Sequence, residues 1–388
     1  VISGAARTAI ARENGGLRDV PPGDLAALVM KEAIKRSRLA NPERVDEVIF
    51  GNTMSEVCCM ARYGWLQAEL PLSVPGIQID RQCGSGSTAV NLAAALVWSG
   101  ANDVILAGGV ESMTRGPYFM ERPRAAYQRT PPAFIRRPVS TEKVGDPPMG
   151  IIAETMAERW DVGRGEQDEF ACLSQMKAGR AMQEGRFKEQ IVPVVIPQKK
   201  GDPLVFDSDE HPRPGTTREA LARLAPAFRA GGSVTAGNSS GINDGAGALI
   251  VAAREKAEEL GMPVLAAIRG FASAGVDPTI MGIGPVPATR KVLARLGLAV
   301  GDLDVIEMNE AFAVQCIACC RELGIDWRDE QKFNPNGGAV ALGHPIAATL
   351  AILIIKAVYE LHRRAGRYAL ITACCGGGQG VATIIEQC

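Results

Sequence analysis

Residues 75–112 read PGIQIDRQCGSGSTAVNLAAALVWSGANDVILAGGVES. The run "GIQI" is a short apolar strand that stops at the turn "DRQCGSG", whose glycines cannot continue it. "STAVNLAAALVWSG" then has the length and apolar content of a buried helix, and "DVILAGGVES" is a second apolar strand ending on glycines. Strand, tight turn, buried helix and strand in succession predict an α/β fold with crossover connections.

The same pattern extends in both directions. Upstream, "DLAALVMKEAIKRS" (24–37) spaces Leu25, Leu28, Val29 and Ala33 as a helix does, and "VDEVIFGN" (45–52) is a short strand ending at a turn. Downstream the plan repeats. "ATRKVLARLGL" (288–298) is a helix and "LDVIEMNEAFA" (303–313) a strand ending at Asn309, with a helix expected after it. "FNPNGGAVALGHP" (333–345) reads as a strand and turn, and "IAATLAILIIKAVYELHRRAG" (346–366) as a helix. "YALITACCGGGQGVATIIE" (368–386) holds two strands around a glycine loop. Two similar halves therefore lie end to end. "CGSG" (83–86) and "ALGH" (341–344) each precede a long apolar helix at equivalent places, which sets Cys83 and His344 facing one another across a pseudo-twofold axis. Between the halves, residues 116–238 are rich in Arg, Pro and Gly, as in "RPRAAYQRTPPAFIRRP" and "DEHPRPGTTREALARLAPAF". A structureless loop of that length is improbable, so helices are expected at "GIIAETMAERW" and "GEQDEFACLSQMKAGRAMQEG".

Composition narrows the function. The 388 residues are 46% hydrophobic, enough for more than one ordinary core. Lys and Arg total 42 against 43 Asp and Glu, so no overall basic field attracts nucleic acid or an anionic membrane, and an anionic ligand must be held locally. The chain opens on "VISGAART" without a charged and apolar leader, and its longest apolar stretch, Ile346 to Ile355, is about half the ~20 residues of a membrane span. The ten cysteines fall in clumps and singly, unlike a disulfide framework, and read as thiols of a soluble, cytoplasmic protein.

"CCGGGQG" (374–380) lacks the Lys and Ser/Thr of a P-loop, and no helix follows its glycines as dinucleotide binding requires. Cys316 and Cys319 have C-x-x-C spacing without a second ligand pair, so they are expected as packed thiols and no metal is assigned. Around Ser85 the G-x-S-x-G spacing of a serine hydrolase is absent. Cys83, at a strand-to-helix turn where a helix N-terminus favours a thiolate, is the candidate nucleophile. Of the three histidines, His362 lies in the polar helix end "ELHRRAG", whereas His344 sits at the matching turn of the second half and is the natural base for Cys83.

With Cys83 in "RQCGSG", Asn309 in "NEAFA", His344 in "GGAVALGHP" and Cys374 in "CCGGGQG", in that order, the chain resembles the thiolase family. "GGVESMTRGP", "GEQDEFA", "DEHPRPGTT", "VTAGNSSGINDGAGAL" and "GIGPVPAT" extend the resemblance along nearly the whole chain. It implies a five-layered αβαβα fold, with residues 1–115 and 239–264 as the N-terminal half, 116–238 as a loop domain holding coenzyme A, and 265–388 as the C-terminal half. It implies 3-ketoacyl-CoA cleavage, or the reverse condensation of acetyl-CoA, with CoA and acyl-CoA thioesters as substrates, no permanently bound cofactor, and a homodimer or homotetramer. Cys83, activated by His344, would carry the acyl group, and Cys374 would exchange the α-proton. One oxyanion hole would comprise His344 and a water held by Asn309, the other the amides of Cys83 and Gly376. Arg213 would lie near the nucleotide, Phe228, Ala236 and Ser240 along the pantetheine, and Met149 and Phe312 would wall the acyl pocket.

The chain departs from the family pattern at Pro148, where short-chain biosynthetic members usually carry histidine, which leaves longer acyl chains open. After His344, "PIAATLAILI" adds bulk at Ala347, Thr349 and Leu350, and Cys375 is expected as a small core filler. A decarboxylating ketoacyl-synthase-like enzyme, a non-catalytic acyl- or lipid-binding protein of the same fold and a redox-thiol protein stand as alternatives.

Overall fold

The computed structural model describes residues 1–127 and 131–388, so residues 128–130 of the Arg- and Pro-rich stretch lie outside it. The strands of the first half are β1 (Ile2–Arg7), β2 (Glu47–Gly51), β3 (Gly76–Ile79), β4 (Val104–Ser112) and β5 (Asn243–Ala252). Those of the second are β6 (Ala266–Gly275), β7 (Val305–Met308), β8 (Tyr368–Cys375) and β9 (Gln379–Gln387). Hydrogen bonding orders them β7-β8-β9-β6-β1-β5-β4-β2-β3, and the strands of the two halves are joined where β1 pairs with β6, Ile2 opposite Ala266. In each half the crossover-linked strands pair in parallel, β2 with β3 and β4, and β7 with β8. The remaining pairs are antiparallel, among them β8 with β9 across Gly376–Gly378. Gly377 and Gly378 take φ of +83° and +78°, which is why that hairpin needs glycines.

Helices make three further layers. α1 (Pro22–Arg36) and α2 (Met60–Gln67) cover the first sheet through Leu25, Met30, Trp65 and Phe50. On the other outer face, helix α6 (Pro285–Leu296) and helix α7 (Ala313–Leu323) pack on the second sheet through Val292, Ile317, Ile306 and Leu370. Between the sheets lie α3 (Ser85–Trp98) and α8 (Thr349–Arg364), with Ala89, Val90, Ile354 and Val358 in one core with Ile105 and Ile371. A helix packed between two sheets must be apolar nearly all round, which explains "STAVNLAAALVW" and "LAILIIKAV". The outcome is the expected five-layered αβαβα fold.

The two central helices approach closely because small residues stand at their starts. A Cβ on Gly86 would lie 2.7 Å from Ala351 N, and one on Gly109 would lie 2.4 Å from Ala347 O. Ala347 and Leu350, expected as added bulk, are fully buried in this contact.

The excursion carries both expected helices, α4 (Met149–Arg159) and α5 (Arg164–Gln183). They bury Ala153, Met156 and Phe170 in the outer core of the second half. Residues 333–345 correct the sequence reading. Phe333 makes a single parallel bridge to Ile306, and Ala339–Leu342 form one helical turn in place of a strand. Glu310, accepting from Ser174 Oγ, Asn334 Nδ2 and Val340 N, ties that segment down through side chains, so no ladder is needed. Cys316, Cys319 and Cys320 are fully buried on α7 as packed thiols. No helix among the described residues is long and apolar enough to cross a membrane.

Candidate active site

The turns that open the two central helices converge. Cys83 occupies a single 3-10 turn, Gln82–Gly84, immediately before α3. Gln82 takes φ +50°, a left-handed conformation that costs a side-chain-bearing residue energy and is held by its neighbours. Asp80 Oδ1 accepts from Gln82 N at 2.9 Å, while Ser85 Oγ accepts from Arg81 N and donates to Gln82 O. Cys375 fills the space beneath: a Cβ on Gly84 would lie 2.6 Å from its Sγ, so the core-filler expectation has a geometric basis.

His344 follows Gly343, whose φ of +101° only glycine adopts readily, and a Cβ there would lie 2.5 Å from the Asn243 side chain. Asn243 Oδ1 accepts from His344 N at 2.9 Å and so fixes the backbone. The imidazole Nε2 lies 3.1 Å from Cys83 Sγ and 3.4 Å from Asn309 Nδ2, and Nδ1 lies 2.6 Å from Thr349 Oγ1. With S–H and amide donors both facing Nε2, the network assigns the proton to Nδ1, donating to Thr349. Nε2 is then the free base beside the thiol. Asn309 Oδ1 is buried with no hydrogen-bond partner among the described residues.

Burial sets the protonation states. It pushes the Cys83 thiol up to about 12, opposed by the backbone N–H groups of Cys83 and Gly376, and raised a little further by Glu111 and Asp80. It pulls His344 down to about 4. The thiolate expected from a helix N-terminus is thus overruled by desolvation, which outweighs a partial dipole charge. The resting pair is a neutral thiol and a neutral imidazole. Cys374, on β8, is also pushed well above the ordinary thiol range, by burial first and then by Cys83.

A cavity of about 390 Å³ opens onto this pair, with Gln82, Cys83, His344, Gly376, Met149, Phe312 and Ser240 among its walls. Cys374 lies just behind it, clustered with Met149, Met281, Ala311 and Phe312. Of the residues expected along coenzyme A, Ser240 reaches the cavity, its N–H bonded to Ala311 O. Phe228 is partly exposed and meets Phe312 edge to face at 6.1 Å between ring centres. Ala236 and Arg213 are exposed, outside the cavity lining.

Several supporting residues escaped the sequence reading. Thr349 was noted only as bulk, and Asn243 not at all. Glu111, fully buried, accepts from Asn52 Nδ2, Thr53 Oγ1 and the amides of Met54 and Ala347. It thereby joins the cavity wall at Met54 to the turn after His344. Burial raises its carboxyl to about 6 despite those donors. Its only sequence signal was a charged residue inside the apolar strand "DVILAGGVES".

Comparison with known proteins agrees with this architecture. The family models "Thiolase, N-terminal domain" and "Thiolase, C-terminal domain" match residues 1–255 and 262–387. The chain is 46% identical over 394 residues to an acetyl-CoA acetyltransferase of Syntrophomonas wolfei, covering 100% of this chain and 98% of the relative. It is 45% identical to the 3-oxoadipyl-CoA/3-oxo-5,6-dehydrosuberyl-CoA thiolase of Escherichia coli, covering 98% of this chain and 97% of that one. The crystal structure of the Bacillus anthracis acetyl-CoA acetyltransferase superposes with a TM-score of 0.92 at 41% identity, covering 100% of this chain and 98% of that one. Two matched domains spanning both halves, and close likeness in sequence and structure over the full length, place the chain in the thiolase family of acyltransferases.

Proposed function

We propose that the enzyme cleaves 3-ketoacyl-CoA with coenzyme A, or runs the reverse condensation, through an acyl group carried on Cys83. The observation that carries this reading is the Cys83–His344 pair, 3.1 Å apart, at the base of an apolar cavity with Cys374 behind it. Cys83 Sγ attacks the ketone carbon as its proton passes to His344 Nε2. The bond between that carbon and the α-carbon breaks, and the α-carbon takes a proton from Cys374, releasing acetyl-CoA. The thiol of a second CoA then gives its proton to the Cys374 thiolate and attacks the Cys83 thioester; the bond to Cys83 Sγ breaks, that sulfur takes back the proton from His344 Nε2, and the shortened acyl-CoA leaves. A neutral resting pair suits this order, because no uncompensated charge is buried before substrate arrives.

Negative charge on the thioester oxygens falls to two sets of donors. The amides of Cys83 and Gly376, which act on the nucleophile's sulfur and lower its pKa, serve one. His344, with a water for which the unpartnered Asn309 Oδ1 is available, serves the other. Coenzyme A runs from Arg213 past Ala236 and Phe228 to Ser240, and Met149 and Phe312 wall the acyl chain. The ten unpaired thiols suit a reducing, cytoplasmic setting. The exposed apolar hairpin bearing Tyr118, Phe134 and Ile135 favours a homodimer or homotetramer.

The test is acyl transfer without turnover. Incubation with acetyl-CoA should leave one acetyl adduct on the Cys83 peptide by mass spectrometry. Cys374→Ala should keep that adduct while losing thiolysis, and an adduct confined to Cys374 would reverse the roles.

A further inference from the structure

We propose that Arg136 gives the cavity a subsite for a carboxylate, so that the preferred acyl chains end in a negatively charged group. This rests on the thiolase reading of the same site. Among the described residues sixteen line the cavity, six of them Met54, Met113, Met149, Met281, Phe312 and Ile346, and of these sixteen Arg136 is the one with a permanent charge. The Arg136 side chain is 51% exposed, so an alkyl chain filling this space gains nothing from the guanidinium, whereas a carboxylate would be bonded by it.

The guanidinium is held but not used up. Arg136 Nη1 donates to Asp146 O at 3.2 Å, and Nη2 lies 3.0 Å from Asp146 Oδ2, which among the described residues leaves three of its five N–H donors. The Asp146 carboxylate also accepts from the amides of Val139 and Ser140, so it aims the guanidinium while its own charge is shared among further donors. The neighbouring Arg137 donates to Thr53 O at 2.8 Å and lies 3.6 Å from Asp80 Oδ2. These contacts fasten the loop to the wall formed by Met54 and Gln82. Ser240, on the proposed coenzyme A path, is instead bonded to Ala311. Arg136 therefore belongs to the wall beside the nucleophile turn, where the acyl chain goes, and Pro148 in the same lining adds no charge of its own.

The competing source of an anion is a phosphate of coenzyme A, and a matched substrate pair separates the two. Thiolysis of 3-oxoadipyl-CoA and 3-oxohexanoyl-CoA, six-carbon chains that differ in the terminal carboxylate, is measured for the wild type, Arg136→Met and Arg136→Gln. Glutamine keeps an amide for Asp146 without the charge. The expected result is a wild-type kcat/KM ratio of ten or more in favour of the carboxylate, falling at least ten-fold in both variants. A wild-type ratio of one or less overturns the subsite. An unchanged ratio in the variants overturns its assignment to Arg136, and equal losses on both substrates with a raised KM for CoA move the residue to coenzyme A. Absence of thiolysis of either substrate by the wild type refutes the thiolase reading itself, a different result from loss of selectivity.

Discussion

Replacing Thr349 with valine removes one oxygen from a buried site and keeps its shape. His344 is 6% exposed and Thr349 3%, so water does not replace the lost acceptor. The 2.6 Å contact to Nδ1 disappears, and a buried N–H is left unsatisfied, which costs about 1–3 kcal/mol. That penalty applies to the tautomer with its lone pair on Nε2 and falls harder on the imidazolium formed during attack, since a charged donor gains more from its acceptor. Ring rotation or the other tautomer then turns a proton toward Cys83 Sγ. At about 1.4 kcal/mol per factor of ten, kcat should fall about 10- to 100-fold, with the KM for CoA within about two-fold of wild type. Thr349→Ser should restore most of the rate by returning the oxygen. Steady-state thiolysis with the three proteins decides the matter. A Thr349→Val enzyme within two-fold of wild type, or a serine variant no better than valine, would refute the claim that this hydroxyl sets the tautomer.

Stability should depend on acid through the buried histidines. His344 and His211 are both pulled from 6.5 to about 4, mainly by burial, so between those values the unfolded chain binds the protons and stability falls as pH drops. Glu111, raised from 4.5 to about 6, acts oppositely within its narrower window, because its folded carboxyl protonates first. The histidine contribution is read by difference: His344→Asn should flatten the fall in stability between pH 6.5 and 5, by a slope that approaches about 1.4 kcal/mol per pH unit at the acid end. Urea unfolding at several pH values measures it, and an unchanged slope in the variant would contradict it. Separately, Lys356 Nζ lies 2.9 Å from Glu307 Oε2 with both side chains buried, so Lys356→Met should cost about 3–5 kcal/mol by stranding the carboxylate. Lys356→Met with Glu307→Gln should recover much of this in the same urea assay.

The sequence by itself determined the alternation of strands and helices, the doubling of the α/β unit and the places of Cys83 and His344 at its two matching turns. These features are local: apolar periodicity follows from which face is buried, and glycine marks backbone that other residues adopt only under strain. The order of the four motifs along the chain then indicated the family. Where the argument needed long-range contact, only the tertiary structure could decide. The 3.1 Å approach of Cys83 to His344 joins residues 261 positions apart. Thr349 looked like mere bulk because its hydroxyl matters only once α8 begins beside the imidazole it faces. Cys83 rests as a thiol although it opens a helix, because the desolvation that two packed sheets and two central helices impose outweighs the nearby dipole. Residues 339–342 form a helical turn because Glu310, Ser174 and Asn334, brought from separate segments, supply the hydrogen bonds that a strand ladder would have given. Arg136, in a stretch legible only as rich in Arg and Pro, reached the cavity wall through its own contact with Asp146 and through the neighbouring Arg137, which holds Thr53 and Asp80. Burial and partnership are properties of the assembled chain, and residue type and spacing carry them only where the partner lies in the same element.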